Sequence, residues 1–433
     1  MKIVSINFDN FKSFKKLKLE FGDFNVLIGA NSAGKSNLLQ SLTFLRDIAS
    51  LGLENAISLQ GGIDFLKNMN LPAEDNTMNF EIVVEPDKQF LCEATKAGKL
   101  YFIEIYRLAF SFSLQLDDNF PYPSIISDSL VQYFKVFSTK KDGKKSKKPL
   151  FESSFKIEKK GIDFDVSFGE QVLSLFDEEE LFEIFIIGYD TLFKEKKLLS
   201  ESKLRKSLML ETQLYFLPHV ENIKKDFSDI IIYDFEPSLP KKAASLAAKA
   251  ELEENGENLA VVLRNILADK EKKRMFFNLI AEALPFIEDI DVKQYIDKYL
   301  LITFRESWSG DKFMPPFMMS EGTIFIINII VALYFERKSI VIFEEPERRI
   351  HPYLLSIIID MMHDASLNKQ IILSTHNPEI VKNANPNSII LISRDKDGFS
   401  TIAKPSLQKE ILTFLENEIG IEELYVQNLL KGE

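Results

Sequence analysis

Cysteine and histidine are scarce: Cys92 stands alone, and four histidines are spread over 433 residues. One cysteine cannot close an internal disulfide or build a thiolate metal cluster, which suits a reducing compartment. So few histidines also leave little from which to make a zinc site. Long apolar runs are missing too. The most hydrophobic stretch, Ile324 to Phe335, falls short of the roughly 20 residues that span a bilayer and runs into Glu336, Arg337 and Lys338. It is expected to be a buried core helix in a protein without a membrane partner. No signal peptide is read at the start, because Met1 to Phe14 alternates apolar and polar residues as a strand does. The expected location is cytoplasmic. Positive charge is in deficit as well: 53 Lys and Arg face 65 Asp and Glu, a formal charge of -12. That balance argues against a protein that coats nucleic acid over its whole surface and leaves only a local basic groove.

What is present is ordinary globular composition, 45% hydrophobic and 27% charged, with length for one large domain carrying insertions or for two domains. The patterning divides the chain into four parts. Residues 1–75 read as strands, an apolar run from Phe24 to Ile28, a glycine-rich turn and then a helix from Lys35 with Leu38, Leu39, Leu42 and Leu45 on one side. Residues 76–170 are rich in β-branched and aromatic alternation and predict an antiparallel sheet. Within them Lys140 to Lys148 reads as a solvated loop, or as a contact for nucleic acid or a partner. Residues 171–283 are expected to be mainly helical, without a sustained heptad pattern and so without a long coiled-coil arm. Residues 284–433 alternate short apolar runs with helices, which points to a parallel sheet covered on both faces. No internal repeats are evident.

Gly29-Ala30-Asn31-Ser32-Ala33-Gly34-Lys35-Ser36 fits the Walker A pattern, and it follows a predicted strand and opens a predicted helix, as that motif requires. Glycines let the backbone N–H groups wrap closely around phosphates, and the helix N-terminus adds positive potential. Lys35 supplies a full charge and the Ser36 hydroxyl a ligand for Mg²⁺. Asn31, Ser32, Ala33 and the following Asn37 complete the expected ATP-binding segment.

Far downstream, Ile340 to Phe343 is an apolar strand ending in Glu344, Glu345 and Pro346, a Walker B arrangement. A strand buried on both faces tolerates ionised groups only at its C-terminal edge, where a metal and nucleotide compensate them. Glu344 is assigned to the Mg²⁺ shell, and Glu345 to orienting or deprotonating the attacking water. The next apolar strand, Ile371 to Leu373, leads into Ser374-Thr375-His376, which places His376 on the same edge as a sensor of the γ-phosphate. Ser320 and Gly322 open the apolar helix. They are read as a second anion site that caps the γ-phosphate of a partner subunit, giving a twofold homodimer around two ATP molecules. The plainer alternative makes Ser320 an N-cap and Gly322 a turn residue.

The order Walker A, long insertion, Ser-x-Gly signature, Walker B with Glu-Pro, then Thr-His resembles the ABC ATPases of the SMC, RecF and OLD branch. The chain is more closely similar to soluble AAA family ATPases grouped with OLD proteins and anti-phage systems. The carrying residues are Glu344 to Pro352, Asn10 to Phe14, Leu252 to Ala260 and Glu423 to Tyr425. The resemblance implies an α/β P-loop NTPase of the ABC-ATPase head type, with a mixed sheet, flanking helices, an antiparallel β-rich insertion at 76–170 and a helical insertion at 171–283. The head itself would be made by 1–75 and 284–433. It further implies that His351 crosses a dimer interface and that Lys12 approaches the nucleotide. Ser32 departs from the glycine of many relatives, Glu321 from a second glycine, and Arg348-Arg349 from Asn-Gly, which bears on the speed of turnover. The expected function is Mg²⁺-dependent ATP hydrolysis that drives or gates a separately encoded effector, a nuclease or toxin, in anti-phage defence. Two alternatives are a DNA repair ATPase clamping DNA through Lys144, Lys145, Lys147 and Lys148, and an ATP-bound scaffold that hardly turns over.

Overall fold

The computed structural model describes the chain except for residues 73–74, 88–89, 118–121, 141–142, 161–162, 187–206, 212–220, 296–297, 408–420 and 428–433. The chain packs into two units. One holds residues 1–21, 37–230 and 393–402, the other residues 22–36, 231–392 and 403–433.

In the first unit, β1 (Lys2–Phe11) and β2 (Phe14–Glu20) form a hairpin; β3 (Phe24–Ile28) passes to the second unit, and helix α1 (Lys35–Leu51) returns. Then come β4 (Thr77–Glu85), β5 (Phe90–Lys96), β6 (Lys99–Gln115), β7 (Ser124–Ser138), β8 (Phe151–Lys160) and β9 (Asp163–Phe168). They make one antiparallel sheet in the order β2-β1-β4-β6-β7-β8-β9, with β5 also on β6. The period-2 pattern decides which face is buried: on β4, Met78, Phe80, Ile82 and Val84 point inward. Phe80 stacks on Phe8 at 5.1 Å and on Phe112 at 5.4 Å, which ties three strands together across one face. The basic loop before β8 is partly spent on the sheet, since Lys145 pairs with Glu104 and lies over the Phe137 ring at 4.3 Å.

One polar pair is built into that buried face. Asp128 on β7 lies opposite Lys159 on β8, both nearly inaccessible, and Asp128 accepts a hydrogen bond from the Met209 N–H at 2.6 Å. Burial pushes the Asp128 carboxyl up to about 7, against the pull of the Met209 N–H and the Lys159 charge, and burial likewise lowers Lys159.

The second unit adds β10 (Ile231–Tyr233), β11 (Ala244–Ser245), β12 (Ile287–Tyr295), β13 (Tyr299–Glu306), β14 (Ile340–Glu344), β15 (Gln370–Thr375) and β16 (Ile389–Arg394). Its main sheet runs β10-β14-β15-β3-β16 with parallel neighbours, while β11, β13 and β12 form a small antiparallel sheet. All of β3 and β15 and the first four residues of β14 are buried, as a parallel sheet covered on both faces demands. The helix Glu321–Tyr334 is buried from Thr323 through Leu333, which accounts for the apolar run in the sequence as core. No helix among the described residues is long and apolar enough to cross a membrane. The stretch expected to be mainly helical, 171–283, also carries β10 and β11; its parts 187–206 and 212–220 lie outside the described residues.

A carboxyl that keeps its proton to about 7 when folded, and loses it near the ordinary value of about 4 when unfolded, costs stability progressively between those two pH values. Asp128→Asn keeps the acceptor for Met209 and cannot ionise. Its melting temperature is therefore expected to gain on that of the native chain as pH rises from 4 to 7 and to hold a constant lead above that. A difference in melting temperature independent of pH would contradict the assignment.

Candidate active site

β3 delivers the chain into the turn Gly29 to Gly34 at the C-terminal edge of the parallel sheet. The turn needs its first glycine for space: a Cβ at Gly29 would stand 2.2 Å from the Ile392 carbonyl oxygen on β16. Ser32, at φ 64°, adopts a left-handed conformation that costs a non-glycine residue about 1–2 kcal/mol. Lys35 is buried at the start of α1, and its ammonium donates to the carbonyls of Gly29 at 2.7 Å and Ala30 at 3.2 Å. Burial lowers the Lys35 pKa, and the charges of Glu345, Glu347 and Glu344 work against that shift.

The register of β14 on β15 sets Glu344 beside Ser374, and that of β15 on β3 sets Ser374 beside Leu27. Two distant stretches of sequence meet there, for the Ser36 hydroxyl donates to Glu344 Oε1 at 2.6 Å. Ser374 Oγ, buried next to them, has no hydrogen-bond partner among the described residues. A hydroxyl and a carboxylate at a strand end are hard oxygen donors that fit Mg²⁺. Among the described residues no group of three or more His, Cys, Asp and Glu is arranged to hold a metal.

Glu345 turns out of the strand at φ 44°, and its conformation is fixed by its N–H donating to the Ser374 carbonyl at 2.9 Å. Its carboxylate lies between Arg348 Nε at 2.6 Å and His376 Nδ1 at 3.2 Å. Burial pushes this carboxyl up, but the hydrogen bond and charge of Arg348, with His376, outweigh burial and hold it below the usual carboxylate range. Glu347 follows in the turn Pro346–Arg349, with its side chain 4% exposed. Its pKa is raised by burial, opposed by hydrogen bonds from the Thr375 hydroxyl and the backbone.

Lys35, Ser36, Glu344, Glu345 and His376 thus share one sheet edge. Other expected site residues go elsewhere. Ser320 caps its own helix, accepting from the Thr323 N–H at 3.0 Å, with Gly322 in the first turn. The Asn37 amide donates to Ser13 Oγ at 2.7 Å within the first unit. His351 caps the helix Pro352–Ala365 through Tyr353 N–H at 3.4 Å. In the first unit, the Lys12 N–H donates to the Leu66 carbonyl at 2.8 Å.

Three features of this edge escaped the sequence. The strand β10 pairs with β14 so that Tyr233 faces Phe343, and Asp234, next in line, lines a cavity of about 140 Å³ with Glu236, Glu344, Glu345 and Arg348. The signal was an apolar run, Ile230 to Ile232, ending in acids and a proline as β14 does. Arg348 on Glu345 is the second. The third is Tyr425, whose phenol is raised by burial and hydrogen-bonds the Gly29 backbone.

The crowding at Gly29 is testable. Gly29→Ala is expected to destabilise the chain by about 1–3 kcal/mol through the clash with Ile392, read by denaturant unfolding. Unchanged stability would mean that β16 does not press on the turn.

A sequence model of the AAA ATPase domain matches residues 1–381. No curated protein matches the chain. Similar solved structures include an SMC head bound to the C-winged helix domain of ScpA, at 14% identity and a TM-score of 0.49, covering 93% of this chain and 98% of that one. The SMC head domain from Thermotoga maritima matches at 12% identity and a TM-score of 0.41 over 93% and 99%. An SMC head domain with an extended coiled coil, bound to the C-terminal domain of ScpA derived from Pyrococcus furiosus, matches at 14% and 0.42 over 96% and 99%.

Proposed function

The chain belongs to the AAA ATPase domain family and is an ATPase, and on that premise we propose that it hydrolyses Mg·ATP at the edge of β3, β14 and β15 and uses the nucleotide state to gate a separate protein. The observation that carries this reading is the meeting of Ser36 with Glu344 at 2.6 Å and of His376 with Glu345 at 3.2 Å beside the buried Lys35.

On this reading Lys35 turns from the carbonyls of its own loop to the β- and γ-phosphates, and the N–H groups from Asn31 to Ser36 line the triphosphate. Ser36 and Glu344 would hold Mg²⁺, which when bound neutralises charge on the phosphates. Glu345 exchanges Arg348 or His376 for the attacking water and orients it or takes its proton. His376 touches the γ-phosphate and registers its loss. Ser320 and Gly322, at the N-terminus of a long buried helix, cap the γ-phosphate bound by a second copy, so that ATP completes a twofold homodimer and hydrolysis releases it. Such a cycle suits a switch for an effector such as a nuclease or toxin, in anti-phage defence. The DNA-clamping alternative is weakened where its groove was expected, because Lys145 is engaged by Glu104 and Phe137.

Turnover separates the enzyme from a silent scaffold. Glu345→Gln is expected to lower kcat by about 100-fold or more while Mg·ATP affinity stays near native, and Lys35→Ala to lose that affinity. Equal, negligible rates for the native chain and Glu345→Gln would replace the enzyme by a scaffold. Sedimentation of Glu345→Gln should show doubling of mass with ATP and not with ADP; an unchanged mass would remove the dimer.

A further inference from the structure

Glu347 is a buried carboxylate without an ion-paired lysine or arginine among the described residues. Its Oε1 accepts from the Thr375 hydroxyl and, at 3.3 Å, from the His376 backbone N–H, and His376 Nδ1 stands 3.8 Å away. The other oxygen, Oε2, is buried with no hydrogen-bond partner among the described residues. Holding a carboxylate in this condition is costly. The cost has a geometric return, because Glu347 belongs to the turn after β14 whereas Thr375 and His376 end β15. Thr375 Oγ1 in turn accepts from the Asn377 N–H at 2.9 Å, and the Asn377 side chain caps the helix Pro378–Asn383. One carboxylate therefore fastens the turn that carries Glu345 to the strand end that carries His376, and it does so on the side of the imidazole that Glu345 also faces. With Nδ1 turned to two carboxylates, Nε2 is the ring nitrogen left for the nucleotide.

We propose that Glu347 is a positioning residue for ATP hydrolysis: through Thr375 and the His376 amide it holds the His376 ring against Glu345. The claim rests on the ATPase reading for its kinetic consequence but not for its geometry, and two readouts keep the two apart. Removing the acceptor with Glu347→Ala should lower kcat by about 10- to 100-fold, the worth of a hydrogen bond to a charged group, with KM for Mg·ATP within about threefold. Glu347→Gln keeps the acceptor and should recover most of kcat. Thr375→Val should lower kcat as well, and combined with Glu347→Ala it should add little, since both break one link.

The independent readout is the ring-nitrogen signals of ¹⁵N-histidine-labelled protein, simple because the chain has four histidines, with His376 assigned by His376→Gln. Glu347→Ala should move the His376 signals and Glu347→Gln leave them near native, at melting temperatures that show both variants folded. The proposal is overturned if the His376 signals of folded Glu347→Ala stay where the native ones are, or if kcat stays within twofold, or if Glu347→Gln is no better than Glu347→Ala. A native chain that does not hydrolyse ATP would sink the ATPase reading, and the histidine spectra would still decide the positioning claim.

Discussion

The site depends on the parallel register that sets β3 beside β15 and β15 beside β14. Those strands are buried along nearly their whole length, so they tolerate charge only where they end. All three end on the same side because they run in the same direction, and the residues that follow them must therefore share one edge. Ser36 and Glu344 lie 308 positions apart in the chain and yet form a 2.6 Å hydrogen bond. A slip of one residue in either pairing would turn Glu344 to the opposite face of the sheet.

Electrostatics at this edge follow from crowding. Lys35 is buried, and so is Glu347, and each is displaced toward its neutral form by the loss of water. Neighbouring charge opposes the shift at Lys35, where three glutamates share one lysine. Glu345 goes the other way because Arg348 bonds it directly. The departure of Arg348 from the more usual Asn thus has a physical meaning: it occupies the carboxylate assigned to the attacking water and sets a partner that must be exchanged. Both turns also carry a left-handed non-glycine residue, Ser32 in one and Glu345 at the head of the other.

Much of this was legible in the sequence, since the glycine-lysine turn, the apolar strand ending in Glu344 and Glu345, and the strand ending in His376 each announce their place by composition. The helix from Ile324 to Phe335 was readable as core for the same reason. Other parts were not. β10 is three residues long, and a short apolar run inside a helical stretch has no periodicity to reveal it. The ties of Glu347 to Thr375 and of Tyr425 to Gly29 join elements whose adjacency exists only after folding. Ser320 was legible in both of its readings, and its visible hydrogen bond is the N-cap one. The basic run before β8 was legible as a solvated loop or as a contact for nucleic acid or a partner, but not the carboxylate and the ring that Lys145 meets on neighbouring strands.

The most direct measurement of the central claim is a double-mutant cycle on Mg·ATP affinity with Ser36→Ala and Glu344→Gln. If the two residues act together on one ion beside one triphosphate, the loss in the double variant should fall short of the sum of the single losses by about 1 kcal/mol or more. Strictly additive losses would mean that Ser36 and Glu344 serve separate sites, and the shared sheet edge would lose its functional meaning.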